Sequence, residues 1–221
     1  MNRRELAARI DHTLLRPDAT ALEILALADE GMALGCAAVC VNGCRVRLVA
    51  DRLAGGPVKA CAVVGFPLGA GDKVARAAEA ARAREQGARE IDMVANLGAL
   101  KDGEFNLFRD DVAGVVAAAG EALVKVILET CLLTDEEKRR AAELAVEAGA
   151  AYVKTSTGFS KGGATVADVA LLRQAVRGRA RIKASGGIKD APFALALIEA
   201  GADRLGMSGT AALLAELKAD E

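Results

Sequence analysis

The chain has 221 residues with 29 basic and 30 acidic side chains, is 52% hydrophobic, and has 3% aromatic content with no tryptophan. This excludes a disordered chain, and the lack of a basic stripe, a polybasic run or stacking platforms argues against nucleic-acid or membrane partners. The length suits a single domain over residues 1–221, with a core of Ala, Val, Leu and Ile.

The opening MNRRELAARIDHTLL is charged and has no leader-like apolar run, and no later stretch approaches the ~18 apolar residues of a spanning helix. A cytoplasmic protein is expected. Residues 1–9 predict a short helix, and 10–14 the first strand. A helix follows Thr20, whose spacing to Glu23 suits a capping box, and Leu22, Leu25 and Met32 predict its sheet-facing side. Further strands are predicted at 37–41, 58–64, 90–94, 123–129, 152–155, 181–184 and 204–207. Thr134 with Glu137 and Thr165 with Asp168 mark two more helix starts. Gly35, Gly87, Gly149 and Gly201 each close a helical stretch shortly before a strand.

Strands and helices that alternate in this way predict a TIM (β/α)8 barrel with a short N-terminal helix. A doubly wound open sheet is the rival, but it would place a glycine-rich turn after the first strand, where RPDAT stands. Cys36, Cys40 and Cys44 are spaced four apart and invite a metal reading. They straddle a strand and a turn, and His12 is the only histidine, so reduced, mostly buried thiols are expected instead.

Strand alternation assigns the lumen. Asp11, Cys40, Asp92, Lys125, Glu129, Lys154 and Lys183 fall on one parity within their strands, and the opposite parity is mostly apolar. Apolar side chains would fill a barrel as well as buried ion pairs do, so this much charge points to chemistry at the C-terminal ends of the strands. Two neighbouring lysines disfavour each other's charge, and desolvation acts the same way. One of them could then be a free amine able to form an imine, with Asp92 moving protons. Downstream, KASGGI and GMSGTAALL place Gly186, Gly187, Ser208 and Gly209 after the last two strands, where anions bind in such barrels. Lys161 in FSKGGAT is a candidate counter-charge. No Gly-Lys-Ser/Thr occurs, which excludes a Walker-type loop.

The stretches IDHTLLRPDAT, AAVCVN, VVGFPLGA, EIDMVANLGALKDGE, VKVILETCLLTDEE, YVKTSTGF, IKASGGI and GADRLGMSG lie in order over nearly the whole chain. Through them the chain resembles the deoxyribose-phosphate aldolases, class I (Schiff-base) enzymes. The resemblance implies a TIM barrel and the reversible cleavage of 2-deoxy-D-ribose 5-phosphate to glyceraldehyde 3-phosphate and acetaldehyde, with no metal and no organic cofactor. It implies that Lys154 is the Schiff-base lysine, Lys183 the neighbour that lowers its pKa and relays protons, and Asp92 the acid/base carboxylate. Asp11 would bond a substrate hydroxyl or the relay lysine, and Gly186, Gly187 and Ser208 would hold phosphate.

Three departures stand out. Gly209 replaces the second of the family's paired phosphate serines, and Gly43 the proline of its Asn-Pro. The ending LLAELKADE carries no tyrosine, whereas some members end in a tyrosine that assists proton transfer. A homodimer is expected of such a barrel. Two other readings stay open: another Schiff-base aldolase or transaldolase on the same barrel, or a non-catalytic phosphosugar-binding barrel.

Overall fold

The computed structural model describes residues 1–217; residues 218–221, and with them the end of the tail weighed above, lie outside the described residues. Eight parallel strands close into one barrel in chain order: β1 (Ile10–Leu14), β2 (Ala38–Val41), β3 (Lys59–Val64), β4 (Glu90–Val94), β5 (Leu123–Ile127), β6 (Tyr152–Lys154), β7 (Arg181–Ser185) and β8 (Arg204–Met207), with β8 pairing back on β1. The helices around them are α1 (Arg3–Ala7), α2 (Ala21–Leu34), α3 (Val46–Arg52), α4 (Lys73–Glu85), α5 (Leu97–Lys101), α6 (Phe105–Ala119), α7 (Asp135–Glu147), α8 (Val166–Val176), α9 (Ala191–Glu199) and α10 (Thr210–Ala215). This is the expected TIM barrel with its short N-terminal helix, and the strand limits differ from the expected ones by at most two residues. No helix among the described residues is long and apolar enough to cross a membrane.

Local chemistry sets the helix limits. The Thr20 and Thr134 side chains accept from the backbone N–H of Glu23 and Glu137, whose carboxylates accept in return from the Thr20 and Thr134 N–H, completing two capping boxes. Thr165 caps α8 through the Asp168 N–H alone. Between barrel and helices lies an apolar shell to which Phe108, Val112 and Val115 of α6 contribute fully buried side chains. Burying one such side chain contributes roughly 1.5–3 kcal/mol.

The expected inner face of α2 is corrected by the structure. Leu22 is 80% exposed, whereas Met32 packs against the core as expected, and the buried residues are Ile24, Leu27, Ala28 and Gly31. Apolar residues surround the first turns of this helix, so periodicity alone does not choose a face. Gly31 does choose it: a Cβ there would lie 2.7 Å from Val39 Cγ2. The helix lies tightly on β2 only along the side that lacks a side chain.

His12 faces outward, with Nδ1 2.8 Å from Thr210 Oγ1 and Nε2 2.9 Å from Glu30, tying β1 to α10 and α2. Cys36 and Cys40 are buried and Cys44 is exposed on a 3-10 turn after β2, so the four-residue spacing does not gather them into one set.

Candidate active site

The parallel register places the lumen residues in layers. Asp92 lies level with Lys125, and Lys154 level with Lys183. Asp92 is the hub. Its Oδ2 accepts from Lys154 Nζ at 2.6 Å and from Lys183 Nζ at 2.7 Å; its Oδ1 accepts from Lys125 Nζ at 2.9 Å and from Cys61 Sγ at 3.3 Å. Asp11 accepts from Lys183 on one oxygen and from Arg204 Nη1 at 2.5 Å on the other. Lys125 Nζ lies 2.6 Å from Glu90, and Arg204 bridges Glu90 to the Tyr152 hydroxyl. Opposite Lys183, the lumen side of β8 is Gly206. A Cβ there would stand 3.0 Å from Lys183 Cε, so glycine leaves the lysine stem its room.

Electrostatics fixes most of these charges. Burial alone would raise the Asp92 carboxyl, but the ammoniums of Lys125, Lys154 and Lys183 outweigh it and hold Asp92 well below the usual carboxylate range. Asp11 follows the same pattern: burial opposes ionisation, and Lys183, Lys125 and Arg204 prevail. Burial works against a charged Lys183, yet Asp11 and Asp92 raise its pKa above the ordinary lysine value, and Lys125 is raised likewise by Asp92 and its neighbours. Lys183 and Lys125 are thus both anchored as ammoniums by buried carboxylates. Lys154 has a single carboxylate partner and a side chain 4% exposed, against 0% for Lys125 and 1% for Lys183.

Asp11, Asp92, Lys125, Lys154 and Lys183 are therefore gathered as strand parity predicts. Glu129 is not: it lies beyond the end of β5 with a left-handed backbone (φ 50°), and its carboxylate accepts from the Thr157 N–H at 3.2 Å and from the Thr157 hydroxyl. It braces the loop after β6 instead of facing the lysines. Sequence reasoning missed Glu90, Cys61, Arg204 and Tyr152. Glu90 and Tyr152 share the lumen parity of Asp92 and Lys154, but they stand at the bottom of their strands, where attention to C-terminal ends passes them over. Cys40 and Cys61 lie side by side across β2 and β3, and their sulfurs and an Asp92 oxygen fall within 4.8 Å of one another. The Lys125 ammonium against Cys61 and Asp92 makes this a poor place for a metal cation.

At the C-terminal mouth, Gly186, Gly187 and Ser208 line a cavity of about 360 Å3, with Thr157 and Arg16 on its other walls. Neither Lys161 nor Gly209 lines it; both are exposed. The loop bearing Lys161 docks on the glycine pair through the Ala164 N–H, which donates to the carbonyls of Ser185 and Gly186 at 3.0 Å each.

A closed β/α barrel with a buried cluster of lysines on one carboxylate, under a glycine-lined cavity, defines a class of enzyme suited to amine–carbonyl chemistry on a small substrate. The chain belongs to the DeoC/LacD family aldolases, whose family model matches residues 6–219. It is 53% identical over 219 residues to deoxyribose-phosphate aldolase 1 of Bacillus licheniformis, covering 99% of this chain and 98% of that one. It is 52% identical to the deoxyribose-phosphate aldolase of Enterococcus faecalis over 211 residues, 95% of this chain and 96% of the relative. Among solved structures it is similar to a tetrameric deoxyribose phosphate aldolase from Aeropyrum pernix, at 32% identity and a TM-score of 0.91, over 97% of this chain and 92% of the other.

Proposed function

We propose that this aldolase reversibly cleaves 2-deoxy-D-ribose 5-phosphate to D-glyceraldehyde 3-phosphate and acetaldehyde through an imine on Lys154. The observation that supports the assignment of roles is an asymmetry about one oxygen: Lys154 and Lys183 both donate to Asp92 Oδ2, but Lys183 also bonds Asp11 and Lys154 has no second carboxylate. Two ammoniums on one oxygen repel. Loss of one proton from Lys154 removes that repulsion and gives the lone pair that attack requires. The charge count agrees. Asp11, Glu90 and Asp92 face Lys125, Lys154, Lys183 and Arg204, and the cluster balances when one amine is neutral.

In the cleavage direction the Lys154 amine adds to the C1 aldehyde of the open-chain sugar, and water leaves to form the iminium. The C3 hydroxyl gives up its proton, the C2–C3 bond breaks, and glyceraldehyde 3-phosphate departs. The bonding pair moves into an enamine on C2, C1 and Nζ. Protonation at C2 and hydrolysis release acetaldehyde and the free amine. Lys183, held charged by two carboxylates, suits the donor role, and Asp92, ionised and bonded to both lysines, suits the acceptor role. Gly186, Gly187 and Ser208 receive the phosphate.

The whole chain, 1–221, acts as one domain in the cytoplasm and as a homodimer, a state that light scattering would check. The test of function is a donor panel with the purified protein. The proposal expects turnover of 2-deoxyribose 5-phosphate to acetaldehyde, and preference for another donor aldehyde or ketone would replace it with a different aldolase.

A further inference from the structure

A phosphate dianion at the mouth needs a counter-charge, and Lys161 stands outside the cavity. Among the described residues, Arg16 is the one cationic side chain lining it, opposite Gly186, Gly187 and Ser208. Arg16 sits in the loop between β1 and α2, at the end of the barrel where substrate enters. Its Nη1 lies 2.8 Å from Asp18 Oδ1, and Nη2 contacts Glu23. These pairs are half-exposed, and Glu23 is also engaged by the Thr20 N–H at 2.8 Å as part of the α2 cap. Exposed pairs of this kind hold a side chain weakly. The guanidinium can exchange them for a phosphate, whose geometry it matches with two parallel N–H donors.

We propose that Arg16 determines specificity for the phosphorylated sugar. It supplies the charge for the substrate's phosphate monoester, and Asp18 and Glu23 hold it at the rim until an anion arrives. This inference rests on the aldolase reading above. The same cradle would take inorganic phosphate or the phosphate of glyceraldehyde 3-phosphate.

The test compares wild type, Arg16→Gln, Arg16→Lys and Lys161→Ala by kcat/KM for 2-deoxyribose 5-phosphate and for unphosphorylated 2-deoxyribose. For Arg16→Gln the ratio of the two is expected to fall about 10- to 100-fold, mainly through KM for the phosphate ester, as for the loss of a charge-assisted hydrogen-bond pair. Arg16→Lys should recover part of it, because the charge returns without the fork. An unchanged ratio in Arg16→Gln, or a fall in Lys161→Ala instead, overturns the proposal. If the wild type cleaves neither sugar, the aldolase reading fails, and calorimetry with inorganic phosphate then decides for Arg16. Weaker binding by Arg16→Gln supports the role, and equal binding refutes it.

Discussion

Two buried charge clusters in this molecule are built differently. Between α4 and α6, Arg76 and Asp111 form a pair of one cation and one carboxylate, 2.7 Å apart, and Arg76 also donates to the carbonyls of Gly69 and Val94. It ties the loop after β3 to the end of β4. In the lumen, four cations crowd three carboxylates. The first cluster is balanced and structural. The second has one more basic group than it has carboxylates, and Lys154 is the lysine with a single carboxylate partner. A barrel needing only stability would be filled as well by apolar side chains. The comparison therefore separates a pair that holds the fold from a cluster whose excess of basic groups fits the amine chemistry proposed for Lys154.

Substitutions can break the comparison, and the largest effect is expected at Lys154. Lys154→Leu should lower kcat by about 10^4-fold or more, as loss of a covalent nucleophile does, while the thermal midpoint stays or rises because an apolar side chain replaces a buried amine. A large drop in the midpoint on calorimetry would make Lys154 a structural cation. Arg76→Met should do the reverse. It leaves Asp111 buried and unpaired, and should cost about 3–5 kcal/mol in denaturant unfolding, with kcat per folded molecule largely retained. Asp92→Asn touches both properties: roughly a 10^2- to 10^4-fold loss of rate for the proton-transfer group, with destabilisation as the ammoniums lose their partner.

The smallest effect is in pH. The carboxyls of Asp92 and Asp11 are depressed from an ordinary value of 3.8, so the stability they contribute is complete above that value and is lost as pH falls below it. Asp111 has the opposite sign. Burial, opposed by Arg76, pushes its carboxyl above 3.8, so the folded state gains as pH falls through that raised value. Acid denaturation of the wild type should therefore follow the lumen. Asp111→Asn should flatten the mildly acidic side of the stability curve and leave the strongly acidic loss in place. A curve for Asp111→Asn that overlays the wild type would remove the contrast.

The lumen was legible because a strand has period two: Asp11, Asp92, Lys125, Lys154 and Lys183 fall on one parity of their strands, and mostly apolar residues take the other face. The helix starts were legible because Thr-x-x-Glu is a local device. Other features depend on contacts that sequence spacing does not contain. The face of α2 depends on how closely Gly31 meets Val39, in a helix apolar on several sides. Glu129 continues the strand pattern in sequence but leaves it in space, because its left-handed backbone turns the carboxylate to Thr157. Arg16 reads as an ordinary loop arginine until the barrel closes and brings the loop after β1 beside those after β6, β7 and β8.

In the proposed mechanism Lys154 is the amine that reacts, with Lys183 held charged beside it. Reduction with borohydride in the presence of acetaldehyde, followed by peptide mass mapping, tests it most directly. One stable ethyl adduct is expected, on the peptide carrying Lys154 and absent in Lys154→Leu. An adduct on Lys183 would reverse the two roles, and no adduct in folded protein that still binds the sugar phosphate would contradict imine chemistry altogether.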